Sequence, residues 1–133
     1  MSKENVEIVQ ELFSAMGRGD IEAAIQLVSP DGEWVNPDNA MEPGTRRGLG
    51  GMRTALTAIR DSFAELRFEI SEVVELENRV LVTGTFSGVG RTSEAAFGPQ
   101  PFGSVVTLVD GKVQRYEWHL SRKEALEAAG LTE

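Results

Sequence analysis

The chain has 133 residues, 41% hydrophobic and 26% charged, with 21 acidic against 13 basic side chains and a net charge of −8. These are the proportions of an ordinary soluble globular protein with one domain over 1–133, and the acidic balance sets nucleic acid and anionic membrane surfaces aside as partners. There is no cysteine and only one histidine, His119, which excludes disulfides, thiol nucleophiles and Cys/His metal sites; neither a metal nor an organic cofactor is signalled.

The opening MSKENVEIVQELF has no apolar run of signal-peptide length, and no stretch approaches a membrane span, so a cytoplasmic location is the default expectation. Over residues 3–17, Val6, Val9, Leu12 or Phe13, and Met16 recur at helical spacing, with Ser2 and Asn5 as candidate caps and Gly17 and Gly19 as the stop. Asp20 is placed to cap a short second helix that turns Ile21, Ala24, Ile25 and Val28 inward. Ser29-Pro30-Asp31-Gly32 reads as a turn, Glu33-Trp-Val-Asn36 as a short strand ended by Pro37, and the polar segment up to Gly48 as a loop.

From Leu49 to Phe63, Met52, Leu56, Ile59 and Phe63 again predict a helix. The period then drops to two in 66–71 and 80–87, with Glu77-Asn78-Arg79 joining the two strands. Gly88 to Gly103 is rich in glycine and polar residues and reads as a hairpin. Ser104–Val109 and Lys112–Leu120 are strands about an Asp110-Gly111 turn, and Ser121 with Glu124 forms a capping box for a short last helix. Helices followed by strands argue α+β with a mostly antiparallel sheet. Helices against a curved sheet enclose a conical space, the kind of concavity that holds small molecules.

The opening ENVEIVQELFSAMGRGDIEAAIQLVSPDGEWVNP and the ending VVTLVDGKVQRYEWHLSRKEALEAAGL resemble the first third and the last hairpin of the SnoaL-like branch of the nuclear-transport-factor-two-like superfamily. GLGG at 48–51 and the DGK hairpin add to the likeness. The resemblance implies a cone-shaped α+β barrel, with the curved sheet wrapped around the N-terminal helices and a short C-terminal helix. It also implies a homodimer joined through the outer sheet face. Members of the superfamily include ketosteroid isomerases, polyketide cyclases, epoxide hydrolases and proteins without known activity, so the fold alone selects no reaction.

Ketosteroid isomerases place an Asp base before the proline that ends this strand; here the residue is Asn36, and an amide cannot abstract a proton. Leu12 stands where the first helix would carry a tyrosine, and Ser104 or Val105 where the penultimate strand would carry a neutral Asp. The standard isomerase set is therefore missing. Asp38 and Glu42 follow in the loop, as pocket-mouth or solvated carboxylates, with Arg46 and Arg47 as partners either of those acids or of the sheet.

In the last strand, alternation puts Gln114, Tyr116, Trp118 and Leu120 on the cavity face and Val113, Arg115, Glu117 and His119 on the outer face. The expected pocket is lined by Trp34, Asn36, Tyr116, Trp118, Leu12 and Met16, with Asn36 and Tyr116 as its polar groups and a small hydrophobic steroid-, polyketide- or terpenoid-like molecule as its ligand. Three readings stay open. One is a cofactor-independent isomerase, cyclase or hydrolase with Asp38 or His119 as base, one a binding pocket without chemistry, and one a scaffolding homodimer with a filled cone.

Overall fold

A computed structural model describes residues 2–131, with side chains from Glu4, so the Ser2 cap expected from the sequence lies outside the described side chains. Helix α1 (Ser2–Arg18) buries Val9, Leu12, Phe13 and Met16, the stripe its spacing predicts. Glu4 in its first turn and Arg18 in its last complement the helix dipole. The helix runs through Gly17 and stops at Gly19, whose φ of +71° reverses the chain; the Gly19 and Asp20 amides then bond to the Met16 and Ala15 carbonyls. Asp20 caps α2 (Ile21–Ile25) by accepting from the Ala23 amide at 3.1 Å.

The expected turn at 29–32 lies inside strand β1 (Val28–Asn36). Val28 pairs with Val113 and Glu33 with Arg115, so five steps on one strand oppose two on the other and residues 29–32 bulge out of the ladder. The turn chemistry is real, with Ser29 Oγ donating to Asp31 Oδ1 at 2.6 Å, but it serves a bulge. The polar loop also hides strand β2 (Gly44–Arg47), which pairs antiparallel with the end of β1 from Asn36↔Gly44 to Glu33↔Arg47.

Helix α3 (Gly48–Ser62) buries Met52, Ala55 and Leu56. Phe63, expected at its end, instead opens β3 (Phe63–Leu76) and stacks on Phe97 at 4.9 Å. Strand β4 (Arg79–Gly90) follows, and then β5 (Ala96–Val109); the two pair antiparallel through Gly88↔Phe97 and Val89↔Ala96, so the glycine-rich segment forms the hairpin expected of it. Glycine is a bulge signal here: a Cβ at Gly84 or Gly88 would overlap the backbone oxygen of Glu69 or Glu65, and the β3–β4 register shifts beside Gly84 and the β4–β5 register beside Gly88. Strand β6 (Lys112–His119) and α4 (Arg122–Ala128) complete the chain, with Ser121 capping α4 through the Glu124 amide at 3.1 Å.

The sheet order is β2-β1-β6-β5-β4-β3, antiparallel except for the β1–β6 pair. This is the α+β architecture expected: a curved sheet around N-terminal helices with a short C-terminal helix. The inner face packs Val80, Val82, Phe102, Val106 and Tyr116 against α1 and α3. On the outer face α4 covers Leu81 and Val105 with Ala125, Leu126 and Ala129. One facing assignment is corrected. Val113 is wholly buried in the inner core beside Tyr116, because a register shift after Thr107 breaks strict alternation at the start of β6.

Candidate functional site

The end of β1 and the end of β6 lie side by side, which brings Trp34 opposite Tyr116. Their rings stack at 4.4 Å, 20° from parallel, and both residues are buried. Asn36 Oδ1 accepts from two indoles, Trp34 Nε1 at 2.8 Å and Trp118 Nε1 at 2.7 Å. Its amide nitrogen donates to the Glu42 carbonyl at 2.8 Å, tying down the connection from β1 to β2. Both ends of the amide are thus engaged, in a pairing no carboxylate could reproduce, since a carboxylate has no hydrogen to give Glu42.

Tyr116, the other expected polar group, receives a 2.8 Å hydrogen bond from Ser104 Oγ. Burial pushes the phenol well above its ordinary range, and the Ser104 bond opposes this only in part, so the hydroxyl stays neutral. Leu12 is packed in the inner core, and Met16 borders a void of about 10 Å³ between α1, α2 and α3, the size of one water. Trp34, Asn36, Tyr116 and Trp118 are therefore brought together as the sequence suggests, but against one another.

Asp38 is exposed beyond Pro37. Glu42 pairs with Arg46 at 3.1 Å, and Arg47 with Glu33. His119 lies on the sheet face opposite Tyr116 and Trp118, with Nε2 2.7 Å from Glu117 Oε2. Glu117 in turn meets Arg115 at 3.3 Å and Arg115 meets Glu33 at 3.2 Å, so the histidine ends a row of paired charges running across β6 and β1 to β2. Asp38, His119 and the aromatic group share no site. Among the described residues, no three His, Asp or Glu side chains gather as metal ligands, and no helix is long and apolar enough to cross a membrane.

An open concavity lies elsewhere, between α1 and β3, with a volume of about 370 Å³. Its walls are Val9 and Phe13 of α1 and Leu66, Phe68, Ile70 and Val73 of β3, and Val82 of β4 forms its floor. Gln10, Ser14 and Arg18 border it on the helix side, where Arg18 Nη1 donates to Ser14 Oγ at 2.7 Å. Ile70 and Val73 stay 43% and 37% exposed, high for apolar residues facing a core. Behind Phe13 the aromatic packing continues without a break, to Phe68 at 5.1 Å, Phe102 at 5.8 Å and Tyr116 at 6.0 Å.

Sequence reading missed this groove. The one local signal is the step in β3 from even to odd inward positions, Leu66, Phe68 and Ile70 and then Val73, which marks the bulge between Ile70 and Glu72. That β3 is an edge strand, which leaves the groove open, depends on the whole sheet order.

The same architecture recurs in solved structures. Over 93% of this chain and 96% of the other, it is 25% identical to TerC, crystallised with polyporic acid, with a TM-score of 0.76. A nuclear-transport-factor-two-like protein of Burkholderia xenovorans is 29% identical over 100% and 98% of the two chains, TM-score 0.73. A protein of Jannaschia assigned as a SnoaL-like polyketide cyclase shares the fold at 17% identity over 89% and 85%, TM-score 0.78. No curated protein is significantly similar in sequence. The SnoaL-like domain family matches residues 9–116, most of the chain and every strand up to the middle of β6, and the chain belongs to that family.

Proposed function

We propose that this SnoaL-like domain binds a small hydrophobic molecule in the groove between α1 and β3, without acid–base chemistry at the end of β1. The observation that carries this reading is the contrast between an engaged amide and an open apolar groove. Asn36 has both ends of its amide hydrogen-bonded, while the groove's volume of about 370 Å³ falls in the range of small-molecule sites and its lining is mostly apolar, with Gln10, Ser14, Arg18 and Arg67 as its polar members. The polyporic acid crystallised with TerC supports an organic ligand as the class.

In this reading Asp38 is a solvated loop carboxylate and His119 an outer-face partner of Glu117, and neither serves as a base. Trp34, Trp118, Leu12 and Met16 are the packed wall behind the ligand. For assembly we keep the homodimer through the outer sheet face, supported by the paired charges of β1, β2 and β6 on that face; sedimentation velocity giving a monomer at all concentrations removes it.

The test is binding of an apolar fluorescent probe, 1-anilinonaphthalene-8-sulfonate, to wild type and to Val73→Trp, which fills the groove from its exposed rim. Probe affinity falling more than tenfold with the melting temperature unchanged supports the groove. Equal affinity in the two proteins contradicts it.

A further inference from the structure

Strand β3 is the long edge of the sheet, 14 residues with β4 alone beside it, whereas the opposite edge, β2, has 4. From Leu66 to Ile70 the β3–β4 ladder runs without a register shift, between one irregularity at Phe63/Glu65 and another at Ile70/Glu72. On its free side the backbone of this run makes no hydrogen bond to another element among the described residues. A regular, uncovered run of that kind is a template for another strand.

The charges on the run also lack partners. Every arginine of the chain except Arg67 makes a hydrogen bond or ion pair. Glu65, Arg67 and Glu69 make none among the described residues, although they stand at every second position along the edge. Leu66, Phe68 and Ile70 alternate with them and turn to the groove, and Ile70 is 43% exposed.

Charges on an edge strand ordinarily keep other strands away. Here their order admits one register and opposes the others. A second copy meeting this edge antiparallel, about a two-fold axis normal to the sheet, sets residues of one face opposite residues of the same face. An axis at Arg67 opposes Arg67 to itself and Glu65 to Glu69, and an axis at Glu69 opposes that carboxylate to itself. An axis at Leu66 carries the ladder into the irregular step before Glu65. An axis at Phe68 opposes Arg67 to the partner's Glu69 and Leu66 to the partner's Ile70, each twice by symmetry, and uses the whole regular run.

We propose that β3 pairs with β3 of a second copy of this chain about a two-fold axis at Phe68, joining two sheets edge to edge. The pairing gives Arg67 and Glu69 their missing partners and covers Ile70, and it brings the two grooves side by side on one face of the joined sheet. It is separate from a contact through the outer sheet face and holds whatever the groove binds.

Sedimentation velocity of the full chain tests it, on wild type, on Arg67→Glu and Glu69→Arg, and on an equimolar mixture of the two variants. Both side chains are exposed, so each variant melts at the wild-type temperature. Arg67→Glu sets acid against acid at both symmetric positions and Glu69→Arg sets base against base, and each weakens the self-association of wild type roughly tenfold. In the mixture every opposed pair is again acid against base, and the wild-type association returns. Exchange of the Leu66 to Ile70 amides slows as wild type associates and stays fast in either variant alone. Wild type and variants sedimenting alike at every concentration, or a mixture that associates no better than its components, overturns the pairing and leaves the edge to a different chain. Neither result bears on the groove, which the Val73→Trp comparison tests separately.

Discussion

The two ends of the inner sheet face are built from similar residues and behave oppositely. At the β1–β6 end, Trp34, Tyr116 and Trp118 close on one another, and each indole N–H finds Asn36. At the β3–β4 end, Phe68, Ile70, Val73 and Val82 leave about 370 Å³ open toward α1. Position in the sheet explains the difference better than residue type. Strand β6 has neighbours on both sides, so its aromatic residues meet others across each ladder, whereas β3 is an edge strand with β4 alone beside it. In this protein the place where the family suggests a base is a packed seam, and the open space lies at the edge.

The largest expected effect breaks the open end. In Gly84→Ala the new methyl would overlap the Glu69 carbonyl at the bulge that turns Val73 inward. We expect a loss of about 3 kcal/mol in urea denaturation and loss of ligand binding, with the tryptophan emission of the folded protein unchanged. Asn36→Leu breaks the closed end by leaving two indole N–H groups and the Glu42 carbonyl without their partner. The expected cost is about 2 kcal/mol with a shift in tryptophan emission, and ligand affinity at the groove stays within twofold. If Asn36→Leu also abolishes binding, the two ends are one site and the comparison fails.

Smaller effects sharpen it. Asn36→Asp keeps an acceptor for both indoles and loses only the bond to Glu42, so about 1 kcal/mol is expected, with no ketosteroid isomerase activity gained in a dienone-forming absorbance assay.

The smallest effect lies on the outer face and should touch neither end. Hydrogen bonds from Arg122 and Thr83 hold the Glu72 carboxyl at about 2, against an ordinary 4.5. A carboxyl depressed on folding adds stability that is complete above its unfolded value and is lost as the pH falls from about 4.5 toward 2. Wild type and Glu72→Gln should therefore differ by under about 1 kcal/mol at pH 7, and the gap should close between pH 5 and 2 in thermal melts.

Much of the fold could be read from the chain because its signals are local. The stripe from Val9 to Met16, the Asp20 and Ser121 caps and the Asp110-Gly111 turn each need only neighbouring residues. The misreadings occur where a residue type has two meanings. Ser29–Gly32 forms a turn that the β1–β6 ladder carries as a bulge, and the polar segment before Gly48 has the composition of a loop yet holds strand β2. The candidate site was legible as a set of residues, since Trp34, Asn36, Tyr116 and Trp118 do converge. Their saturation was not legible. It depends on a parallel pairing of residues 82 apart in the chain, which places the Trp118 indole on the same oxygen that Trp34 already uses.

The central claim is that the ligand enters at the edge and leaves the seam closed. The most direct test is a two-dimensional ¹H–¹⁵N spectrum of the protein titrated with 1-anilinonaphthalene-8-sulfonate. We predict that the backbone amides of Leu66 to Val73 and of Val9 to Ser14 move with saturating ligand, while the two tryptophan indole signals and the Asn36 side-chain amide stay in place. Movement of the indole and Asn36 signals, with Leu66 to Val73 unchanged, would contradict the account and return the ligand to the end of β1.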